Sequence, residues 1–224
     1  MKQVKKMRYK AVLFDMDGTV LDTLRDLNAA VNETLKHFGY PTQTLEETQR
    51  YVGNGSRRLI ELSLPFGSGD DEIDRVLDWY LPYYNAHAND TTAPYRGIPE
   101  LLETLHVAGY GLAVVSNKPD RTVKQLAGIY FGEQLQTAVG ENERGGIRRK
   151  PAPDTVLAAA GMLGAAAGEC LYVGDSEVDI ITAANAGMDC ASVLWGFRTR
   201  EELEAAGASM LFETPRELTD YLIG

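Results

Sequence analysis

Short apolar runs rich in β-branched residues recur along the 224-residue chain, and each has the length of a buried strand. These runs lie at residues 11–14, 112–115, 137–139, 171–173 and 191–194. Helical patterns, several of them closed by a glycine, separate the later runs and lie at residues 99–108, 120–127, 154–162 and 178–186. Strands that alternate with helices predict an α/β fold, a doubly wound parallel sheet covered by helices on both faces.

The region from residue 21 to residue 93 breaks this alternation. It contains helical patterns at residues 24–38 and 73–84 but no convincing strand. We therefore predict an all-helical insertion after the first strand. The predicted boundaries divide the chain into a core, residues 1–21 and 94–224, and a helical cap, residues 22–93.

Composition narrows the possible functions and partners. Hydrophobic residues make up 44% of the chain and charged residues 24%, which is typical of a globular protein. The net charge of −10 would repel the phosphate backbone of a nucleic acid, so we expect no such partner. With only two cysteines and no apolar run of the roughly 18 residues that a membrane span needs, a cytoplasmic protein without membrane association is expected. These features leave the oligomeric state open.

The first predicted strand ends in two aspartates, Asp15 and Asp17, which precede Gly18 and Thr19. Residues two apart on an extended chain point to the same side, so both carboxylates are expected to face one site. Gly18 permits a sharp turn and a close approach of the backbone to a ligand. An ordinary acidic turn would contain the same residues, so this motif alone does not define a site.

Polar residues also follow the second, third and fourth predicted strands: Ser116 and Asn117, then Lys150, then Asp175 with Asp179. Because ligands of open α/β sheets bind at the carboxyl ends of the strands, all these groups can face one crevice. Each group also has a structural explanation, as a helix cap, a surface lysine or acids in the first turn of a helix. Their occurrence in order, each just past a predicted strand, favours a functional site.

These residues suit the hydrolysis of a phosphate monoester. That reaction is among the slowest known without a catalyst, and the substrate's charge repels an anionic nucleophile. A Mg²⁺ ion held by Asp15, Asp17 and Asp175 would offset the charge, together with Lys150 and the donors around Ser116. We predict that Asp15 is the covalent nucleophile. Asp17 would protonate the leaving alkoxide and then take a proton from the attacking water.

At these positions the sequence resembles the haloacid dehalogenase (HAD) superfamily of phosphohydrolases, whose four motifs match residues 15–19, Ser116, Lys150 and residues 174–179 in order. The resemblance implies that Asp17 contributes its backbone carbonyl to Mg²⁺ and that Asp175 is the third protein ligand. It implies that Asp179 contacts the metal's water molecules or Lys150. It also implies a Rossmann-like core with a helical cap inserted between the first two motifs.

Within the superfamily, the chain is similar to phosphoglycolate phosphatases in residues 18–23, 52–55, 116–118, 174–176 and 195–198. This similarity implies a small phosphorylated metabolite as substrate, with 2-phosphoglycolate as the first expectation. Related caps serve nucleotidases, pyrophosphatases and sugar-phosphate enzymes, so the substrate remains open.

The cap has candidate substrate-binding residues of its own. Asn54 lies between two glycines just before a predicted helix that carries Arg57 and Arg58. Such a turn would lower donors onto a bound ester, and either arginine would pair with a substrate carboxylate. Both arginines are equally compatible with solvated helix positions. With Thr19 and Asn117, these three residues complete the predicted substrate-binding set.

Three other functions fit the same motifs. A sugar phosphomutase of this superfamily would return the phosphoryl group to a rotated intermediate, and a pyrophosphatase would act on a different leaving group. A catalytically silent binding protein would keep the fold alone, but the intact set of predicted catalytic residues argues against it. A dehalogenase is disfavoured because a halide leaving group needs no proton from Asp17.

Overall fold

The computed structural model describes residues 8–224, so residues 1–7 of the predicted core lie outside the described part of the chain. Within that part, the strands are β1 (Ala11–Asp15), β2 (Leu21–Asp22), β3 (Ala93–Pro94), β4 (Gly111–Pro119), β5 (Thr137–Glu141), β6 (Cys170–Gly174), β7 (Asp189–Val193) and β8 (Leu211–Phe212). Six of them form one parallel sheet in the order β5-β4-β1-β6-β7-β8. The chain order therefore reverses beside the central strand β1, which confirms the doubly wound prediction.

The helices of residues 8–224 are α1 (Leu24–His37), α2 (Leu45–Tyr51), α3 (Gly55–Ser63), α4 (Asp70–His87), α5 (Ile98–Val107), α6 (Asp120–Tyr130), α7 (Asp154–Met162), α8 (Glu177–Ala186), α9 (Arg200–Ala205) and α10 (Pro215–Ile223). In that same stretch, no helix combines the length and the apolar character that crossing a membrane requires.

Alternation along β1 explains how the sheet holds helices on both faces. Val12 and Phe14 are buried in one apolar cluster with side chains of α5, α6 and α10. Leu13 points the other way, into a second cluster with side chains of α7 and α8. The central strand is thus buried on both sides, as expected for a parallel sheet between two helical layers.

Helices α1 to α4 lie between β2 and β3 in the chain and share a separate buried cluster, which includes Val31, Ile60 and Tyr80. The short strands β2 and β3 pair antiparallel, with Leu21 opposite Pro94 and Asp22 opposite Ala93. This pair lies where the chain leaves the core and returns to it, which supports our proposed division at residues 22–93. The sequence analysis had no strand here because two-residue strands leave no periodic pattern.

Candidate active site

A buried ion-pair network surrounds Asp15 at the carboxyl end of β1. The Lys150 ammonium lies 2.7 Å from Asp15 Oδ1 and 2.8 Å from Asp179 Oδ1. The Tyr172 hydroxyl donates to Asp179 Oδ1 at 2.8 Å and accepts from Lys150 Nζ at 3.0 Å. Because desolvating such charges is costly, a buried pair persists only when its hydrogen bonds are satisfied. The network therefore holds the predicted nucleophile and the predicted lysine together.

Three carboxylates crowd this point of the fold. One oxygen each from Asp15, Asp175 and Asp179 lies within 4.8 Å of the others. Burial, with the neighbouring carboxylates, raises the pKa of Asp15 well above its usual value and the pKa of Asp175 to about 7. Although burial alone would favour a neutral carboxyl, the Lys150 ammonium lowers the pKa of Asp179. The single lysine therefore does not offset the cost of ionising Asp15 and Asp175, whose pKa values stay raised.

The donor set fits a magnesium ion. All three groups offer carboxylate oxygens, the ligands that hard divalent cations prefer, and mutual repulsion between Asp15 and Asp175 would be relieved by a cation. Asp179 Oδ2 is already occupied by the Ser176 hydroxyl at 2.7 Å and by the backbone N–H groups of Asp175 and Ser176. Asp15 and Asp175 also accept backbone hydrogen bonds, from the N–H groups of Met16 and Phe197 at 2.7 Å, but on one oxygen each. Asp15 and Asp175 therefore have more capacity left for a cation than Asp179.

Asp17 lies in the same crevice, but its carboxylate is held apart from the other three. Lys118 Nζ is 2.7 Å from Asp17 Oδ1, the Thr23 hydroxyl donates to the same oxygen, and the Ser116 hydroxyl lies 3.4 Å from Oδ2. The Asp17 carboxylate thus has contacts of its own, separate from the network around Lys150. Only the backbone of Asp17 would remain for a metal ion, in accordance with the family resemblance.

Gly18 shapes the turn after β1. Its φ of 78° lies in the left-handed region, and a Cβ atom there would overlap the Asp175 carboxylate. The next residue, Thr19, is fully buried, with its hydroxyl 3.4 Å from Asp175 Oδ1. Its carbonyl accepts a hydrogen bond from the Trp195 indole at 2.9 Å. The structure therefore places Thr19 behind Asp175 rather than on the surface of the crevice.

Asn117 connects the core to the cap. Its side-chain amide donates to the carbonyls of Gly53 and Lys150 at 2.9 and 3.0 Å, and its carbonyl oxygen accepts from Lys150 N at 2.6 Å. β4 continues to Pro119, four residues beyond the predicted strand end, so Ser116 and Asn117 are strand residues rather than helix caps. Asn117 thus fixes the backbone of the catalytic lysine candidate relative to the cap.

A cavity of about 40 Å³ lies between the core and the cap. The predicted residues on its core side are Asp15, Asp17, Ser116, Asn117, Lys150 and Asp175. Its cap side is formed largely by Leu27, Val52, Leu59 and Tyr84. Charged residues thus face an apolar roof, an arrangement that excludes water and strengthens electrostatic interactions.

The predicted cap contacts are placed elsewhere. Arg57 pairs with Asp70 at 2.7 Å and with Asp74 at 3.2 Å, and Arg58 pairs with Glu61 at 2.8 Å. Neither arginine lines the central cavity, and Asn54 also lies outside it, although its neighbours Gly53 and Gly55 line the wall. In this conformation, the structure does not bring these three candidates to the other site residues.

Two cations that the sequence analysis left without a role do line the cavity: Lys118 and Arg198. Arg198 donates to the carbonyls of Gln49 and Val52 in the cap and pairs with Glu177 at 3.0 Å. It therefore ties the loop after β7 to the cap. A lone arginine in a loop has no sequence pattern that would reveal such a role. For Lys118 the sequence did contain a signal, because this residue directly follows Ser116 and Asn117.

Comparisons with known proteins agree with this geometry. A family model of haloacid dehalogenase-like hydrolases matches residues 12–193, which include all four motifs. The chain belongs to this family. Among HAD phosphatases, it is 33% identical to N-acetylmuramic acid 6-phosphate phosphatase of Pseudomonas aeruginosa, over 98% of this chain and 97% of that protein.

Two further HAD relatives bear the name of phosphoglycolate phosphatase. The enzyme of Xanthomonas campestris pv. campestris is 36% identical, over 95% of this chain and 96% of that protein. A crystal structure from Lactobacillus delbrueckii subsp. bulgaricus, described as a candidate phosphoglycolate phosphatase, is 36% identical with a TM-score of 0.91. That alignment covers 96% of this chain and 99% of the crystallised one. The predicted superfamily is thus confirmed.

Proposed function

We propose that this HAD-family phosphatase hydrolyses a small phosphate monoester through a phosphoryl group held covalently on Asp15, with 2-phosphoglycolate as the first candidate substrate. The observation that carries the proposal is the pairing of Asp15 with Lys150 at the bottom of a small, largely apolar cavity. Asp17 opens onto the same cavity from a separate set of contacts.

In the first half of the proposed reaction, an oxygen of Asp15 attacks phosphorus while the bond from phosphorus to the substrate's alkoxide breaks. Asp17 gives its proton to that alkoxide, which leaves as an alcohol. Lys150 and the Ser116 hydroxyl contact the phosphoryl oxygens as their charge is redistributed.

In the second half, water attacks the phosphorus of the acyl phosphate, and Asp17 takes a proton from it. The bond between phosphorus and Asp15 breaks, which releases inorganic phosphate and restores the carboxylate. Asp15, Asp175 and the backbone carbonyl of Asp17 would hold Mg²⁺, which when bound supplies positive charge beside the phosphoryl oxygens.

The cavity between the core and the cap is small in this conformation. A volume of about 40 Å³ has room for roughly three water molecules. The phosphoryl group and the glycolate of 2-phosphoglycolate together need more room than this, and the larger sugar of the Pseudomonas aeruginosa relative's substrate needs still more, so binding of either ester would require the cap to move. A cytoplasmic location stays a prediction. The two cysteines of the chain, Cys170 and Cys190, are free thiols, as this prediction requires.

The proposal is tested by turnover of a panel of esters with and without Mg²⁺. The panel contains 2-phosphoglycolate, N-acetylmuramate 6-phosphate, pyrophosphate, nucleotides and glucose 1-phosphate. We expect Mg²⁺-dependent release of phosphate, with the highest kcat/KM for 2-phosphoglycolate. Conversion of glucose 1-phosphate to glucose 6-phosphate without phosphate release would favour a mutase, and no turnover of any ester would favour a silent binding protein.

A further inference from the structure

The cap helix α4 places Tyr84 in the cavity wall, with a buried hydroxyl. Tyr84 is 1% exposed and lines the cavity, yet its hydroxyl oxygen has no hydrogen-bond partner among residues 8–224. Buried side-chain donors usually have a hydrogen-bond partner, so an unpaired one requires an explanation. Burial raises the pKa of Tyr84 well above its usual value, so the phenol remains a donor at neutral pH.

A lysine reaches the same place from the core. Lys118, 5% exposed, lines the cavity, and its Nζ lies 4.9 Å from the centre of the Tyr84 ring. Its ammonium has three donors, and Asp17 accepts from it at 2.7 Å. A second acceptor can therefore bind Lys118 without breaking the contact to Asp17.

These two donors are separate from the cluster around Asp15. The phosphoryl group is expected against Asp15 and Lys150, and Asp17 is expected to contact the oxygen of the leaving group. Lys118 is joined to Asp17, so it lies on the side toward which the leaving group extends. Leu27 and Leu59 of the cap also line the cavity, and this apolar surface strengthens any charge pair formed beside it.

We propose that Lys118 and Tyr84 form the leaving-group subsite and that this subsite recognises a carboxylate on the substrate. The inference rests on the proposed function and deepens it. A carboxylate accepts from both the ammonium and the phenol, while a neutral alcohol supplies no charge to Lys118. The subsite therefore takes over the contact that the sequence analysis gave to Arg57 or Arg58, whose guanidinium groups are paired on the cap surface.

The first experiment measures binding without turnover. Calorimetric titration of the Asp15→Asn variant in Mg²⁺ buffer compares 2-phosphoglycolate with 2-hydroxyethyl phosphate, which replaces the carboxylate by a neutral hydroxymethyl group. We expect 2-phosphoglycolate to bind at least about 30-fold more tightly, and adding Lys118→Gln to remove most of that preference. Equal affinity for the two ligands would overturn the subsite.

The second experiment tests the hydroxyl with a matched pair of variants. Tyr84→Phe should lower kcat/KM for 2-phosphoglycolate by about 10-fold and for 2-hydroxyethyl phosphate by less than about 2-fold. Tyr80→Phe is the control, because Tyr80 stacks on Tyr84 and its buried hydroxyl is also unpartnered, but it does not line the cavity. Neither change should lower the thermal stability, since each removes an unsatisfied group.

The two proposals fail in different ways. If the wild-type protein hydrolyses both esters and the Lys118→Gln and Tyr84→Phe variants slow them equally, the subsite is overturned while the phosphatase function stands. If the wild-type protein hydrolyses neither ester but Asp15→Asn retains its Lys118-dependent preference for 2-phosphoglycolate, the subsite stands and the proposed function fails. Equal effects of Tyr84→Phe and Tyr80→Phe on both esters would remove the hydroxyl from the subsite.

Discussion

The ammonium of Lys150 lies 2.7 Å from Oδ1 of Asp15, with both side chains almost completely buried. Burial alone would lower the pKa of Lys150, but the carboxylates of Asp15 and Asp179 raise it, so the lysine stays charged. The same ammonium lowers the pKa of Asp15, but burial and the neighbouring carboxylates outweigh it, so the pKa of Asp15 stays well above its usual value. The ion pair thus holds the proposed nucleophile, Asp15, in a fixed position inside the buried site.

Replacement of Asp15 by asparagine should abolish turnover, because the amide cannot act as the nucleophile and one negative charge of the cation site is lost. The fold should persist, as judged by circular dichroism and thermal melting. Steady-state phosphate release is the measurement. Residual activity above about 1%, a loss of less than roughly 3 kcal/mol of transition-state stabilisation, would rule out the covalent mechanism.

Replacement of Asp17 by asparagine should slow the reaction more for a poor leaving group than for a good one. An alkoxide requires a proton in the transition state, whereas nitrophenolate hardly does. Parallel kinetics on 2-phosphoglycolate and p-nitrophenyl phosphate provide the test. Equal losses on the two substrates would mean that Asp17 is not the acid.

The stability of the metal-free protein should depend on pH through Asp175. Its pKa is raised from 3.8 to about 7, so the folded chain holds this proton more tightly than the unfolded chain does. Its stabilising contribution is therefore full below about pH 4 and is lost as the pH rises through about 7. The free energy of unfolding of the wild type, minus that of Asp175→Asn, should fall between about pH 4 and pH 7 and change little at higher pH.

The same titration predicts how Mg²⁺ binds. Because the carboxyl must be deprotonated to bind a cation, the affinity for Mg²⁺ should rise between pH 6 and pH 8. Thermal melts with millimolar Mg²⁺ should show a larger stabilisation at pH 8 than at pH 6 in the wild type. An equally large shift in Asp175→Asn would place the ion elsewhere.

Alanine replacements of Arg57 and Arg58 should affect 2-phosphoglycolate and p-nitrophenyl phosphate alike. Both arginines form partly exposed ion pairs, with Asp70 and Asp74 or with Glu61, and breaking such pairs costs at most about 1 kcal/mol of stability. The kcat/KM ratio of the two substrates is the measurement. A selective loss of roughly 2–4 kcal/mol on 2-phosphoglycolate would instead support the hypothesis from the sequence that an arginine binds the carboxylate.

The α/β class, the five principal strands of the sheet and the order of the catalytic candidates were predictable from the sequence alone. The physical reason is local: period-two and period-3.6 patterns reflect burial within one element, and polar residues such as Asp15 and Asp175 directly follow buried strands. Short elements such as β2, β3 and β8 left no such pattern. Their pairing depends on distant parts of the chain.

Which of the candidate residues face the cavity depends on the tertiary structure. Lys118 and Tyr84 are separated by more than 30 positions in the sequence, yet folding brings the Lys118 ammonium to within 4.9 Å of the centre of the Tyr84 ring. Arg57 looked equally suitable in the sequence, but Asp70 and Asp74 of α4 pair with its guanidinium outside the cavity. The direction of a charged side chain depends on the partners that folding supplies, and a linear pattern does not contain those partners.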